Sequence, residues 1–160
     1  MLKILVGVRT AVMTDVVEDE IRKGAHRHAA LQAVLESDWL ELRSLSSDEE
    51  MSWYLQFAER LVGSDQRNLG ETSVLAWAKA NGDACVVIDD SEARKIADEF
   101  GVPKIGTLGL LVDAVNDGHL SEHVASHIAD EYSASGARVP FRVGGFIPWA
   151  HDIGALVPRD

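Results

Sequence analysis

Acidic residues at three separated places in the sequence have the chemistry to act together. Glu71 begins a predicted helix, Asp89 and Asp90 end a predicted strand, and Glu20 lies on the apolar side of another predicted helix. Carboxylate oxygens are the ligands that Mg²⁺ and Mn²⁺ prefer. Carboxylates placed together repel one another unless cations hold them. These acids therefore predict a site for Mg²⁺ or Mn²⁺ if the fold brings them to one place.

Each of these acids also has a structural interpretation. The dipole of a helix favours a negative charge in its first turn, where Glu71 is expected. Asp90 or Ser91 could cap the helix that follows the strand. Glu20 could sit at the edge of an apolar stripe and pair with an arginine. The sequence leaves both interpretations open for each acid.

The strand that carries the aspartate pair is predicted from residues 84–88, a run of small and β-branched apolar side chains. Such a run is typical of a strand covered on both faces in a parallel sheet. Cys85, the only cysteine, lies inside it and is expected to be a buried thiol. Ligands collect at the carboxyl ends of strands in open α/β sheets, which is where Asp89 and Asp90 follow.

Strands and helices alternate along most of the chain, which predicts a right-handed, mainly parallel α/β sheet. Residues 2–8 fit either a helical turn or a short strand, and residues 138–160 predict an irregular arm. The predicted order between them is a strand at 9–13, a helix capped by Thr14 or Asp15 and ending at Gly24, a helix at 28–37, a strand at 39–45, a helix at 49–61, a helix from Glu71 to Asn81, the strand at 84–88, a helix at 91–100, a short strand near Ile105, and helices at 108–116 and 121–132.

One face of the helix at 49–61 is predicted to be core. Its apolar residues at helical spacing are Met51, Tyr54, Leu55, Ala58 and Leu61.

Length and composition bound the class of protein. A chain of 160 residues fits one domain. No apolar run approaches the length that spans a bilayer. The apolar stretch at the start of the sequence is too short to be a secretion signal. A cytoplasmic location is therefore expected. The net charge of −11 argues against nonspecific binding along nucleic acid, although it does not exclude a nuclease whose metal ions supply positive charge locally.

Histidines recur every four residues at His119, His123 and His127. Two histidines at this spacing can share a metal ion, but no general base sits between His123 and His127 as the zinc-protease pattern requires. We interpret these histidines as surface residues of an amphipathic helix.

Several spaced motifs together resemble the PIN-domain family over about residues 2 to 120. They resemble its toxin-related subgroup, in which Gly-Glu is followed by Ile-Asp-Asp, an Arg, and Gly-Thr-Leu-Gly. The matching stretches are Gly70-Glu71, Val87-Ile-Asp-Asp90, Ala93-Arg94 and Gly106-Thr-Leu-Gly-Leu-Leu111.

The resemblance implies a PIN-like three-layer α/β sandwich with a mainly parallel sheet, and a metal-dependent ribonuclease using Mg²⁺ or Mn²⁺. Such nucleases are often the toxin of a toxin–antitoxin pair. RNA is then the expected substrate, and an antitoxin protein and a second copy of the chain are further partners to consider. The family pattern assigns catalytic and metal-binding roles to Glu20, Glu71 and Asp89 or Asp90, and supporting roles to Arg94 and Thr107.

One departure from the family pattern leads to an alternative to the nuclease. The family begins with a strand ending in an Asp, whereas no Asp precedes Asp15. The resemblance therefore implies either that the start of the sequence was assigned too late or that the first strand is missing from this chain. A protein short of that ligand would be a catalytically impaired PIN-like module that binds a protein partner or RNA. The PIN-like domain is predicted to cover residues 1–120, with residues 121–160 forming a helix and arm packed on it.

Overall fold

A computed structural model describes residues 2–7, 9–63 and 67–157, arranged in two compact units. The larger unit is Thr10–Gly106, and the smaller unit combines Met1–Arg9 with Thr107–Asp160. The predicted division at residue 120 stays a prediction. In chain order the described elements are α1 (Leu2–Val6), β1 (Ala11–Thr14), α2 (Asp15–Ala25), α3 (Ala29–Leu35), β2 (Leu40–Arg43), α4 (Asp48–Leu61), α5 (Leu69–Asn81), β3 (Val86–Val87), α6 (Ser91–Glu99), β4 (Lys104–Ile105), α7 (Thr107–Asn116), α8 (Glu122–Ala134) and α9 (Phe146–Asp152).

The described strands of the larger unit pair in parallel, as predicted, but they are short. β1 pairs with β2, from Ala11 opposite Leu40 to Thr14 opposite Arg43. β3 pairs with β4, with Val86 opposite Lys104. Among the described residues the strands form two separate two-stranded sheets rather than one sheet. The unit is therefore α/β with small parallel sheets and is mostly helical.

Helix starts follow local capping chemistry. Thr14 Oγ1 accepts a hydrogen bond from the backbone N of Val17 and caps α2, which decides between the two predicted caps. Ser47 caps α4 in a capping box, in which Glu50 also accepts from the backbone N of Ser47. Asp90 caps α6 and Ser121 caps α8. These caps fix where each helix begins.

α5 is the central helix of the larger unit. It packs against α4, β1 and β3, and Leu75 and Ala76 along it are fully buried. The rest of the core includes Phe57 of α4, Val86 of β3, Ile88 just after β3, and Ala93 of α6. The two small sheets therefore pack on one helix.

The predicted core face of α4 is correct for Leu61, which is buried, and for Tyr54, which packs against the core, but it is wrong for Met51 and Leu55. Met51 is 43% exposed and Leu55 is 61% exposed, whereas Phe57 is fully buried. Glu50 is buried as well, because its carboxylate accepts hydrogen bonds from Ser46 and Ser47 N and from Asn81 Nδ2. A polar residue thus takes an inward position in the first turn of α4, while Met51 and Leu55 face solvent.

The prediction that β3 is covered on both faces is also wrong. Val86 and Ile88 are buried, but Val87 is 52% exposed. Successive side chains of a strand point to opposite faces, and here only one face packs on the core. Cys85, predicted to be buried, is exposed for the same reason.

The smaller unit is helical in its described part. α1 packs on α7, which buries Leu110, Leu111 and Val115, and α8 packs on α7 and α9. The predicted irregular arm is wrong where α9 forms: Phe146 and Trp149 lie against Phe141, with ring centroids 5.7 and 5.4 Å from that of Phe141. Residues 158–160 of that prediction lie outside the described residues. None of the helices in the described ranges is long and apolar enough to cross a membrane.

Glu50 is expected to make the stability of the protein depend on acid pH. Hydrogen bonds from the backbone of Ser47 and then Ser46 lower its pKa to about 2. A carboxyl group whose pKa is lowered by folding stabilises the protein above its unfolded pKa, and that contribution is lost as the pH falls. We expect part of the unfolding free energy to disappear between about pH 5 and pH 2 in urea titrations.

Glu50→Gln removes the charge and should flatten this part of the pH profile. Glu49→Gln, on the same turn but exposed, is the matched control and should leave the profile as in the wild type. An equally steep profile in Glu50→Gln would show that other groups cause the acid sensitivity.

Candidate metal and nucleic-acid site

Glu20 reaches the start of α5 from the neighbouring helix α2. Its Oε1 accepts a hydrogen bond from the backbone N of Gly70 at 3.1 Å. Asn68, the residue at the cap position of α5, has a left-handed backbone with φ of 64° and makes no capping hydrogen bond with its side chain. Glu20 therefore caps α5 from a neighbouring helix, and the dipole of α5 favours a carboxylate at this end.

Glu71 lies in the first turn of α5, as predicted, and is partly buried. It directly follows Gly70, so the Glu20 carboxylate binds the peptide unit next to it. The carboxylate of Glu20 thus binds the first turn of the helix that carries Glu71, although the two residues are far apart in the sequence.

Two buried hydroxyl groups tie this helix end to β1. Thr14 Oγ1 and Ser73 Oγ are 2.7 Å apart, and Ser73 Oγ donates to the carbonyl oxygen of Gly70 at 2.7 Å. Since the single Ser73 proton goes to Gly70, Thr14 is the donor to Ser73. The resulting chain of hydrogen bonds links the start of α2 to the first turn of α5. Ser73 was not among the predicted site residues. Its position three residues after Gly70 is the one feature of the sequence that points to it.

The two aspartates after β3 have different surroundings. Asp90 Oδ1 accepts hydrogen bonds from the backbone N of Glu92 at 3.0 Å and of Ala93 at 2.9 Å. These bonds confirm the predicted role of Asp90 as a helix cap. Asp89 is exposed, and its Oδ1 lies beside Gly106 at the end of β4. Of the pair, Asp89 is therefore the better candidate for a ligand, and a metal-binding role for Asp90 stays a prediction.

Arg94 supports the strand end that carries Asp89. Its Nη1 donates to the carbonyl oxygen of Ile88 at 2.9 Å and also lies beside Gly106. Thr107 is the first residue of α7 and is half-buried. The supporting roles predicted for Arg94 and Thr107 stay predictions.

The described acids do not form a closed metal cage. Within residues 2–7, 9–63 and 67–157, no group of three or more His, Cys, Asp or Glu side chains is placed to hold one ion. Mg²⁺ is nevertheless often held by one or two carboxylates, with waters and substrate phosphates completing its shell. The carboxylates of Glu20, Glu71 and Asp89 are oxygen donors of the kind that Mg²⁺ takes, but within the described residues they are not placed as one three-ligand group.

The three histidines are exposed, in agreement with their interpretation as surface residues. His123 and His127 line an open groove of about 340 Å³ with Ser126, Asp130 and Gly144. The Asp130 carboxylate accepts hydrogen bonds from the backbone N of Gly144 at 2.9 and 3.1 Å. Asp130 therefore already holds the loop before α9.

Comparison with known proteins confirms the family that the motifs indicated. No significant match was found among curated proteins or among solved structures. The sequence model described as PIN domain matches residues 2–143, which extends beyond the 120 residues over which the motifs were recognised. The chain belongs to the PIN-domain family.

Proposed function

We propose that the protein is a PIN-type ribonuclease that depends on Mg²⁺ or Mn²⁺, with Glu20, Glu71 and Asp89 as the acids that hold the ion. The observation that supports the proposal is the hydrogen bond from Gly70 N to Glu20 Oε1, because Gly70 is the residue before Glu71 at the start of α5. Asp89 supplies a third carboxylate at a strand end, where α/β sheets place their ligands.

A bound divalent ion would supply positive charge for a phosphate and would activate a water molecule as the nucleophile. The residues of the chain orient its ligands. Gly70 N–H fixes one oxygen of Glu20, and the buried Thr14–Ser73 pair holds the carbonyl oxygen of the same glycine. Arg94 fixes the carbonyl oxygen of Ile88 and with it the turn that presents Asp89.

The net charge of −11 means that the protein as a whole repels RNA. The ion is therefore expected to be needed for RNA to approach the acids as well as for cleavage. We propose RNA as the substrate on the basis of the family and of the hard oxygen donors, which suit an ion that also binds phosphate.

Metal dependence is the first test of this function. An open site of few protein ligands should bind Mn²⁺ weakly in the free protein, and more tightly when an RNA oligonucleotide supplies phosphate. We expect cleavage of single-stranded RNA in millimolar Mg²⁺ or Mn²⁺, full loss of cleavage with EDTA, and recovery when the ion is restored. The measurement is cleavage of end-labelled RNA together with Mn²⁺ binding followed by electron paramagnetic resonance.

The second candidate is a PIN-like module that binds a protein partner or RNA without cutting it. It is favoured by the lack of a three-ligand group among the described side chains. If this function holds, neither RNA cleavage nor saturable metal binding will be seen at millimolar Mg²⁺ or Mn²⁺. RNA binding that is insensitive to EDTA would be positive support for the module.

Further expectations from the sequence and the family are also part of this proposal. They are a role as the toxin of a toxin–antitoxin pair, binding to an antitoxin protein, a homodimer, a cytoplasmic location, and a single three-layer sandwich that unites the two small sheets. Packing of both β1 and β3 on α5 supports the last of these. Co-expression with the product of an adjacent gene, followed by co-purification, tests the antitoxin.

A further inference from the structure

The two glycines that open the family motifs, Gly70 and Gly106, are not required by their backbone conformation. Neither is among the described glycines with positive φ, the region that favours glycine over other residues. Their lack of a Cβ atom leaves space instead, and in both cases a carboxylate oxygen lies in that space.

Gly70 makes room for Glu20. A Cβ atom at residue 70 would lie 2.6 Å from Glu20 Oε2 and 3.2 Å from Glu20 Cδ, closer than ordinary van der Waals contact allows. The backbone N of the same residue donates to Glu20 Oε1. One oxygen of Glu20 is thus held by the amide of Gly70, while the other occupies the place of the missing side chain.

Gly106 has the same relation to Asp89. A Cβ atom at residue 106 would lie 2.8 Å from Asp89 Oδ1 and 3.3 Å from Arg94 Nη1. Gly106 directly follows β4, the parallel neighbour of the strand that carries Asp89. The acid on one strand end therefore lies over the glycine that follows the other.

We propose that Gly70 and Gly106 are positioning residues, each of which leaves the space that lets one acid take its place in the site. The proposal rests on the proposed function, because the acids concerned are the expected ion ligands. In both cases the atom nearest to an added methyl group is a terminal carboxylate oxygen, and at Gly70 the methyl group would also lie 3.2 Å from Val17 Cγ2. An alanine is therefore accommodated by moving the carboxylate rather than by unfolding the protein.

The test compares Gly70→Ala and Gly106→Ala with Gly24→Ala. Gly24 is also helical, and its added methyl group would meet only Leu31 Cδ1, at 3.1 Å. We expect all three variants to keep the thermal unfolding of the wild type within a few degrees. Gly70→Ala and Gly106→Ala should need about 10-fold more Mn²⁺ or Mg²⁺ for half-maximal cleavage, the lower end of what disturbed ligand orientation costs, and Gly24→Ala should need no more.

A shorter acid separates positioning from a general effect on the fold. Glu20→Asp draws the carboxylate back by one methylene group, so it should restore part of the metal affinity lost in Gly70→Ala. A plain loss of stability would instead add to the effect of the second change. Lack of any rescue, with both single variants folded, would overturn the proposal for Gly70.

Crystal structures of the alanine variants test the positioning claim even if the protein neither binds metal nor cuts RNA. We expect Glu20 Oε1 to leave hydrogen-bond distance of the backbone N of residue 70 in Gly70→Ala, and Asp89 to swing away from residue 106 in Gly106→Ala. Carboxylates that stay in place would overturn the proposal whatever the activity. Displaced carboxylates in a protein without metal binding would support it and would defeat only the proposed nuclease.

Discussion

Replacing Asp89 by Asn is expected to lower RNA cleavage by about 100-fold or more, because removal of a ligand charge should cost at least as much as disturbance of an outer ligand partner. Asn keeps the size of the side chain but lacks the negative charge that an ion requires. Because Asp89 is exposed, we expect the free energy of unfolding to change by less than about 1 kcal/mol. The measurement is the initial rate of RNA cleavage at saturating Mg²⁺, with unfolding followed by circular dichroism.

Asp83→Asn is the matched control. Asp83 is also exposed and precedes β3, whereas Asp89 follows it, so the same change of charge is made at the opposite end of the strand. We expect this variant to cleave RNA like the wild type. Equal cleavage by Asp89→Asn and Asp83→Asn would remove Asp89 from the site.

The largest effect on stability is expected from Phe57→Ala. Phe57 is a fully buried residue of α4. The centroid of its ring lies 5.6 Å from that of Trp53 and 5.1 Å from that of Phe100. Truncation of a buried phenylalanine leaves a cavity and typically costs about 3–5 kcal/mol. Urea unfolding should show a loss of this size.

Leu55→Ala, in the same helix, is the control. It removes a large apolar side chain that is mostly exposed, so it should change the free energy of unfolding by no more than about 0.5 kcal/mol. Equal losses in the two variants would mean that the inward face of α4 is assigned wrongly.

Local features of the fold could be predicted from the sequence because they depend on neighbours in the chain. Thr14 and Asp90 are caps that bond residues two or three positions away, and Gly82 ends α5 with φ of 74°. The position of Glu71 in a first turn follows from that same helix. The motifs around Gly70 and Asp89 were sufficient to identify the family.

The inward face of α4 could be predicted only in part, at Leu61 and Tyr54, because distant residues set the rest of it. Asn81 of α5 donates to Glu50 at 3.1 Å, and Phe100 of α6 packs on Phe57. A hydrophobic count along the helix favoured Met51 and Leu55, which have no such partners to bury them. Periodicity gives the existence of a helix more reliably than its orientation.

The link that organises the candidate site is also long-range. Thr14 and Ser73 are 59 positions apart, and Glu20 and Gly70 are 50 positions apart. No spacing rule joins such residues, so the sequence could place Glu20 and Glu71 in one site only through the family resemblance. The structure supplies the contact between Glu20 and Gly70.

The central claim is that Glu20, Glu71 and Asp89 serve one divalent ion, and the position of that ion tests it most directly. Crystals grown with a non-cleavable RNA analogue and Mn²⁺ would locate the ion by its anomalous scattering. We expect an anomalous peak about 2.0–2.3 Å from carboxylate oxygens of at least two of these acids, with a phosphate oxygen in its shell. A fully formed complex with no peak there, or with the ion at His123 and His127 instead, would contradict it.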